Sequence, residues 1–214
     1  MFASTQFILM FHVIVREEES NMVLVKYMLL WLTFLLPLVQ QPGYNLKDAA
    51  KASFEELNAV RQNPKEYAHK YKLPAIASIP PRQAFVWDDD LAKLAQQKAE
   101  DMAKNNYFGH VDKKGKGMNY YLWQANYPLP GYYSKDPRAN NVESIAANTE
   151  SPLVFIRQLI EDHGVPNLGH RKHLLSLNKE TDPATHIGIG IAYNPNSKYK
   201  YYCSIVIAPR AEKL

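Results

Sequence analysis

A strand that alternates glycine with large residues, near the carboxyl end, constrains this fold most. Residues 186–193, His-Ile-Gly-Ile-Gly-Ile-Ala-Tyr, place bulky side chains on one face and almost nothing on the other. Glycine on a strand face allows another element to approach the backbone closely. Residues 194–197, Asn-Pro-Asn-Ser, predict a turn, and residues 199–208 predict a returning strand. The segment is therefore predicted to be a hairpin joined to a helical body.

Helical periodicity upstream predicts that body. Residues 46–61 place Phe54, Leu57 and Val60 on one face of a helix. Residues 88–90, all aspartate, offer an N-cap and favourable negative charge to a third helix that ends near residue 105. Further short helices are expected at residues 65–71, 152–162 and about 169–177. Residues 85–87 are a brief apolar run, interpreted either as the start of a strand or as a hydrophobic staple before the next helix.

The amino-terminal segment reads as a leader. Residues 22–26 are a short basic start, and residues 27–39 form an almost wholly apolar run. This pattern is typical of a secretory signal peptide and is short for a spanning helix. We predict an upstream extension plus signal peptide in residues 1–41 and a single domain in residues 42–214, secreted to the extracellular, periplasmic or cell-surface space. No stable membrane span is expected after cleavage; the alternative is an uncleaved membrane anchor.

Composition narrows the function classes. The formal charge of +4 comes without any long Lys/Arg run, so a nucleic-acid partner is not expected. Cys203 is the single cysteine, which rules out an intrachain disulfide and a multi-cysteine metal site; it is predicted to be a buried strand residue. The chain contains no GxGxxG, phosphate loop, HExxH or GxSxG, so no nucleotide cofactor is expected.

Histidines near the ends of predicted elements are the main candidates for chemistry. A catalytic type of zinc site needs three protein ligands and an open position, which His110, Glu143 and His170 would supply. Hydrogen-bonded surface histidines are the alternative. A competing local set is close in sequence: Asp162, His163, His170 and His173.

Residues 115–133 are rich in aromatics and glycines and show neither a helical nor a strand period. One interpretation is a loop that packs its own aromatic side chains. The other is the wall of a ligand-binding groove, because exposed apolar patches usually mark contact sites. The residues concerned are Tyr120, Tyr121, Trp123 and Tyr127.

Four motifs in order resemble those of the CAP superfamily, the cysteine-rich secretory, antigen five and pathogenesis-related proteins. Residues 107–110, Tyr-Phe-Gly-His, resemble its Phe-Ser-His motif, and residues 141–145, Asn-Val-Glu-Ser-Ile, its Gly-Glu-Asn-Ile motif. Residues 169–175 resemble the bacterial form of its Gly-His-Arg motif, and residues 187–190 its Ile-Gly-Val-Gly hairpin. The resemblance covers roughly residues 50–208 and favours a bacterial-type member, which lacks the eukaryotic disulfides.

This resemblance implies an α+β fold, a three-layer αβα sandwich with a central antiparallel sheet. It also implies a cleft in which two histidines and acidic residues hold a divalent metal, often zinc; His110, His170 and Glu143 match those roles. The family's second glutamate follows the first histidine, where this chain has Lys-Lys-Gly-Lys at residues 113–116 and only Asp112 is acidic.

Three further positions depart from the family motifs. Val142 replaces the glycine of the Gly-Glu-Asn motif, and Ser144 replaces its asparagine. His173 replaces the asparagine of the Gly-His-Arg motif and adds a possible ligand. Residues 162–166 resemble a known variant of the preceding loop.

The sequence leaves three hypotheses for function. The favoured one is a secreted CAP domain, non-enzymatic or of unproven enzymatic activity, whose cleft binds a divalent metal, a small apolar ligand such as a lipid or sterol, or both. The second is a hydrolase in which a metal at His110 and His170 activates water with Glu143 as base, or in which Glu143 and His110 act as an acid/base pair without metal. The third is an interaction module that binds a cell-surface component through a vestigial cleft.

Overall fold

Helices precede and separate the strands in the computed structural model, which describes residues 43–178 and 183–210. The helices are α1 (Leu46–Gln62), α2 (Pro64–Tyr71), α3 (Asp89–Asn105), α4 (Met118–Gln124), α5 (Phe155–Glu161) and α6 (Gly169–Leu174), with 3-10 turns at Pro74–Ile76 and Pro152–Val154. The strands are β1 (Val86–Trp87), β2 (Glu143–Asn148), β3 (His186–Tyr193) and β4 (Tyr201–Ala208). The predicted leader, residues 1–41, lies outside the described residues.

One four-stranded sheet, in the order β1-β3-β4-β2, organises the fold. The predicted hairpin is confirmed: β3 and β4 pair antiparallel from His186↔Ala208 to Tyr193↔Tyr201. Strand β2 is antiparallel to β4, whereas β1 is parallel to β3 at two positions only. The α+β class is confirmed, and the sheet is mixed rather than wholly antiparallel because of this short edge strand.

The two faces of β3 explain its glycine alternation. Ile187, Ile189 and Ile191 pack into the main core together with residues of α1. On the opposite face, a Cβ at Gly188 or Gly190 would overlap the backbone of α3. Helix α3 therefore lies directly on the bare face of the strand, as the glycines predict, and helices cover both faces of the sheet.

The aromatic segment forms a second core and is not a loop throughout. It contains helix α4, and Met118, Leu122 and Tyr127 are buried against Leu91 and Val206. Seven residues are two turns, too few for the period to stand out in the sequence. Cys203 is fully buried in β4, as predicted.

Side-chain amides occupy the outward-facing backbone of three strand edges. In each case the side-chain oxygen accepts from the N–H of one residue and the side-chain nitrogen donates to the C=O of the same residue, at 2.8–3.1 Å. The pairs are Asn58 with Phe85, Gln96 with Ile191, and Asn140 with Glu143. Each amide takes the place of a missing neighbouring strand and blocks edge-to-edge pairing.

Within the described ranges, no helix is both long and apolar enough to cross a membrane.

Candidate functional site

His110 follows α3 in a turn and is held by a buried carboxylate. Its Nδ1 lies 3.0 Å from Oε2 of Glu143, the first residue of β2. The Glu143 side chain is 0% exposed and that of His110 is 37% exposed. The other carboxylate oxygen, Oε1, accepts from Ser204 Oγ at 2.7 Å. Because an ionised carboxylate only accepts hydrogen bonds, Nδ1 carries the proton in this pair and Nε2 keeps its lone pair.

Asn140 fixes the position of Glu143. Its amide is oriented by the two bonds to the Glu143 backbone, which also bring Nδ2 to 2.8 Å from His110 Nδ1. Because Nδ2 and the protonated Nδ1 are both donors, the approach of Asn140 to the ring is not a hydrogen bond while Nδ1 donates to Glu143. Asn140 was missed by the sequence reasoning; an asparagine beside the motif offered no distinguishing signal.

His170 is held in a similar way at the start of α6. Its Nδ1 lies 2.7 Å from Oδ1 of Asp162, while Oδ2 of Asp162 accepts from the backbone N–H of His170 at 3.0 Å and of Arg171 at 3.2 Å. The Asp162 side chain is almost wholly buried and that of His170 is 25% exposed. Two histidines thus present Nε2 while a buried carboxylate holds Nδ1.

His173 is a third, buried histidine close to these two. Its Nδ1 is 2.7 Å from Ser144 Oγ, and its Nε2 is buried without a hydrogen-bond partner among the described residues. Burial lowers the pKa of His173 to about 3, with smaller contributions from His170 and His110. Because the charges of His170 and His110 affect this pKa, the three rings lie close together. With this pKa, His173 is neutral at physiological pH.

The predicted ligand set of His110, Glu143 and His170 does not form a three-ligand metal centre. Both oxygens of Glu143 are already engaged, and its side chain is buried. No group of three or more His, Cys, Asp or Glu side chains in residues 43–178 and 183–210 is arranged to hold a metal ion. A cation at this site would therefore have two imidazole ligands from the protein, those of His110 and His170, and solvent would supply its remaining ligands.

Asp112 and His163 have other surroundings. Asp112 accepts from the Tyr121 hydroxyl and, at 2.8 Å, from the backbone N–H of Lys114 and of Lys116. Burial opposes ionisation, but these hydrogen bonds together hold the pKa of Asp112 below its usual value. His163 is exposed. The described hydrogen bonds of Asp112 are therefore to its own loop and to Tyr121.

Lys98 supports the turn that carries His110. Its buried Nζ donates to the His110 carbonyl at 3.0 Å and to the Tyr107 hydroxyl at 3.2 Å. Burial lowers the pKa of Lys98, and the nearby Glu143, Asp101 and Asp112 oppose that shift. Its position on a helix stripe gave no sign of this role.

The four aromatic residues predicted to line a ligand groove make structural contacts. Tyr127 is buried and donates to Asp88 at 3.3 Å, and Trp123 donates to the Ser134 carbonyl at 3.4 Å. The Tyr121 hydroxyl is bound to Asp112, and Lys116 lies over the Tyr120 ring at 4.5 Å.

A larger apolar groove lies elsewhere, at the outer edge of β3 between α1 and α3. Its volume is about 830 Å³. The apolar lining comes from three separate segments: Leu46, Ala50, Trp87, Ala92, Ile189 and Tyr193. Lys51 also lines the groove, with its Nζ 3.4 Å from the centroid of the Trp87 ring. Sequence reasoning missed this groove because no single stretch contains its wall.

Comparison with known proteins gives one family-model match and several similar solved structures. The family model of the cysteine-rich secretory protein family, CAP, matches residues 54–207. Among solved structures, an extracellular protein containing an SCP domain from Bacillus anthracis str. Ames is 21% identical, with a TM-score of 0.44, over 76% of this chain and 42% of that one. An outer surface protein from Borrelia burgdorferi is 16% identical, with a TM-score of 0.47, over 78% of this chain and 97% of that one. This chain thus spans less than half of the Bacillus protein. A search of curated proteins found no match.

Proposed function

The chain belongs to the CAP family of cysteine-rich secretory proteins, and we propose that it is an extracellular binding domain that holds one single-chain lipid in the groove between α1 and α3. The observation that carries this proposal is the groove itself, about 830 Å³ with a mainly apolar wall. Small-molecule sites have volumes of roughly 300–1,000 Å³ and combine apolar walls with a few polar groups. Binding, rather than turnover, is the proposed activity.

The charges around the groove indicate which part of the lipid provides affinity. Both signs of charge line it: Lys47 and Lys51 are basic, and Asp48, Asp89 and Glu100 are acidic. A head group of either charge therefore meets attraction and repulsion together. Affinity should come from the alkyl chain, at roughly 0.8 kcal/mol for each buried methylene. Shortening a fatty acid by two methylenes should weaken binding on the order of tenfold.

Calorimetric titration with lauric, myristic and palmitic acids, and with hexadecanol, tests this directly. The proposal expects affinity to rise with chain length and the C16 acid and alcohol to bind within about threefold of each other. Cholesterol forms a separate arm: stronger binding of cholesterol than of palmitate would contradict the single-chain ligand. Absence of binding by all five compounds would overturn the proposal.

A matched pair of variants locates the site. Ala92 is half-buried in the groove wall, so Ala92→Trp should fill the space and weaken palmitate binding at least tenfold. Ala125 is exposed at the carboxyl end of α4, and Ala125→Trp should leave the affinity unchanged. Equal binding by the two variants would place the ligand outside this groove.

A divalent cation at Nε2 of His110 and of His170 is the second candidate. The specific observation that favours it is that each ring is held through Nδ1 by a buried carboxylate, an arrangement common among metal-ligating histidines. Such a cation would polarise a bound water or carbonyl. The contacts of Glu143 favour an orienting role over that of a free base, so hydrolysis is not proposed. Zinc titration of wild type and of a His110→Ala/His170→Ala double variant tests the site, since equal zinc uptake would exclude it.

Secretion is proposed from the leader pattern of residues 22–39. Amino-terminal sequencing of the protein from its native compartment is the test. A mature end shortly after residue 39 is expected, and a protein that retains the apolar run would indicate the alternative anchor.

A further inference from the structure

We infer that Asp162 orients the His170 ring in this chain and determines which of its nitrogens carries the proton. In the segment after His110, Asp112 is bound by Tyr121 and by its own loop. Residues 113–116 supply only lysines and a glycine. The second buried carboxylate that contacts a histidine comes from the junction between α5 and α6, about fifty residues further along the chain.

The contacts of Asp162 serve a single purpose. Three donors reach its carboxylate, and all belong to the first residues of α6: the His170 ring, the His170 N–H and the Arg171 N–H. Asp162 itself follows α5 in a left-handed backbone conformation, with φ of 51°. One buried carboxylate thus fixes the start of the helix and the orientation of the ring together, so the ring cannot turn without breaking the hydrogen bond to it.

The chemical consequence of the contact with Asp162 is that Nε2 of His170 keeps its lone pair. A carboxylate that accepts from Nδ1 selects the tautomer in which Nδ1 is protonated, leaving the lone pair on Nε2. Glu143 selects the same tautomer for His110 from a different element, β2. Asp162 is a positioning residue in this arrangement. An effect of Asp162 on cation binding rests on the cation site proposed above as the second candidate function. Its effect on the tautomer of His170 does not depend on that site.

Long-range proton–nitrogen NMR of the ¹⁵N-histidine-labelled, metal-free protein at pH 8 reads the tautomer. Wild type should show His170 protonated on Nδ1. Asp162→Ser keeps an oxygen that can cap α6 but is too short to hold the ring as well, so it should move the His170 proton toward Nε2. Asp112→Asn is the matched control and should leave the tautomer unchanged. A His170 proton on Nε2 in wild type would by itself overturn the inference, whether or not the variant folds.

Measuring zinc affinity separately tests the positioning role of Asp162 and the proposed cation site at His110 and His170. Loss of a carboxylate behind a ligating histidine typically weakens metal binding about 10–100-fold. Asp162→Ser should do so, while Asp112→Asn should not. If wild type binds no zinc but the variant changes the tautomer, the positioning role stands and the cation site falls. An unchanged tautomer in a folded Asp162→Ser protein would remove the positioning role.

Discussion

At the residue scale, two departures from the family motifs prove to be one contact. Ser144 and His173 each stand where the motif has asparagine, and their side chains meet at 2.7 Å in a buried position. The sequence identified both substitutions but not their pairing, because the residues lie 29 positions apart on β2 and α6. For the same reason it could not show that Glu143 is engaged by Ser204, 61 positions away. The sequence therefore predicted the residue types at the site and the pairing of His110 with Glu143. It did not predict the serine partners of Glu143 and His173.

Tyr202 offers a test of an unsatisfied buried group. Its side chain is fully buried and its hydroxyl has no hydrogen-bond partner among the described residues. Because an unpaired buried hydroxyl costs about 1–3 kcal/mol, Tyr202→Phe should leave stability unchanged or raise it by about 1 kcal/mol. Urea unfolding monitored by circular dichroism measures this.

The control for that change is Tyr127→Phe. Tyr127 is similarly buried, but its hydroxyl donates to Asp88. Losing that bond should destabilise the protein by about 1 kcal/mol. If Tyr202→Phe proved as destabilising as Tyr127→Phe, the Tyr202 hydroxyl would have a partner after all.

His173 should give the protein an acid-sensitive stability. Its folded pKa is about 3, mainly through burial, with the rings of His170 and His110 nearby. Its unfolded pKa is about 6.5, so the unfolded state binds more protons below that value. Stability from this residue is therefore complete above about pH 6.5 and falls as the pH drops toward 3, by an amount on the order of several kcal/mol.

The contribution of His173 is isolated by comparing how steeply the free energy of unfolding changes with pH in wild type and in a variant. His173→Asn removes the titrating group, so its unfolding free energy should change less between pH 7 and pH 4 than that of wild type. Exposed His163→Ala should retain the wild-type slope. Parallel curves for wild type and His173→Asn would show that His173 does not carry this pH dependence.

At the scale of elements, the sequence predicted the helices and strands whose formation depends on local side-chain patterns. The hairpin of β3 and β4 and helices α1 and α3 follow from side-chain periodicity and capping residues. Strand β2 was recognised only as a motif, because Glu143 and Ser144 at its start are polar and its strand character comes from pairing with β4. Helix α6 ends at Leu174, three residues earlier than predicted, because Leu175 and Ser176 already leave the helix in a turn.

Gln96 illustrates how a side chain can complete an element. Its amide donates to the Ile191 carbonyl and accepts from the Ile191 N–H, on the part of β3 that β1 does not reach. Gln96→Ala should destabilise the protein by about 1–3 kcal/mol, since both backbone groups lose their partner, and should increase self-association. Urea unfolding and sedimentation measure the two effects. The neighbouring exposed Gln97→Ala is the control, and equal behaviour of the two variants would deny the amide this role.

At the scale of the whole molecule, the apolar groove and the pair of histidines lie toward opposite edges of the sheet. The groove lies at the edge of β3, whereas Glu143 begins β2, and β4 separates these strands. Neighbouring strands lie about 4.8 Å apart, so backbones two strands apart lie roughly 10 Å apart. Among the described hydrogen bonds, none joins an apolar residue of the groove wall to His110 or His170. The molecule therefore has two candidate sites on one rigid sheet.

Independence of these sites follows from that separation. Sites more than about 7–10 Å apart with no shared partners usually behave additively, so palmitate affinity should be the same within about twofold with and without zinc. Ala92→Trp should leave zinc uptake unchanged, and the His110→Ala/His170→Ala protein should keep its palmitate affinity. Calorimetric titration of each ligand, alone and in the presence of the other, measures both directions. Because coupling is reciprocal, a change above fivefold in one direction must appear in the other, and it would mean that the sheet links the groove to the pair of histidines.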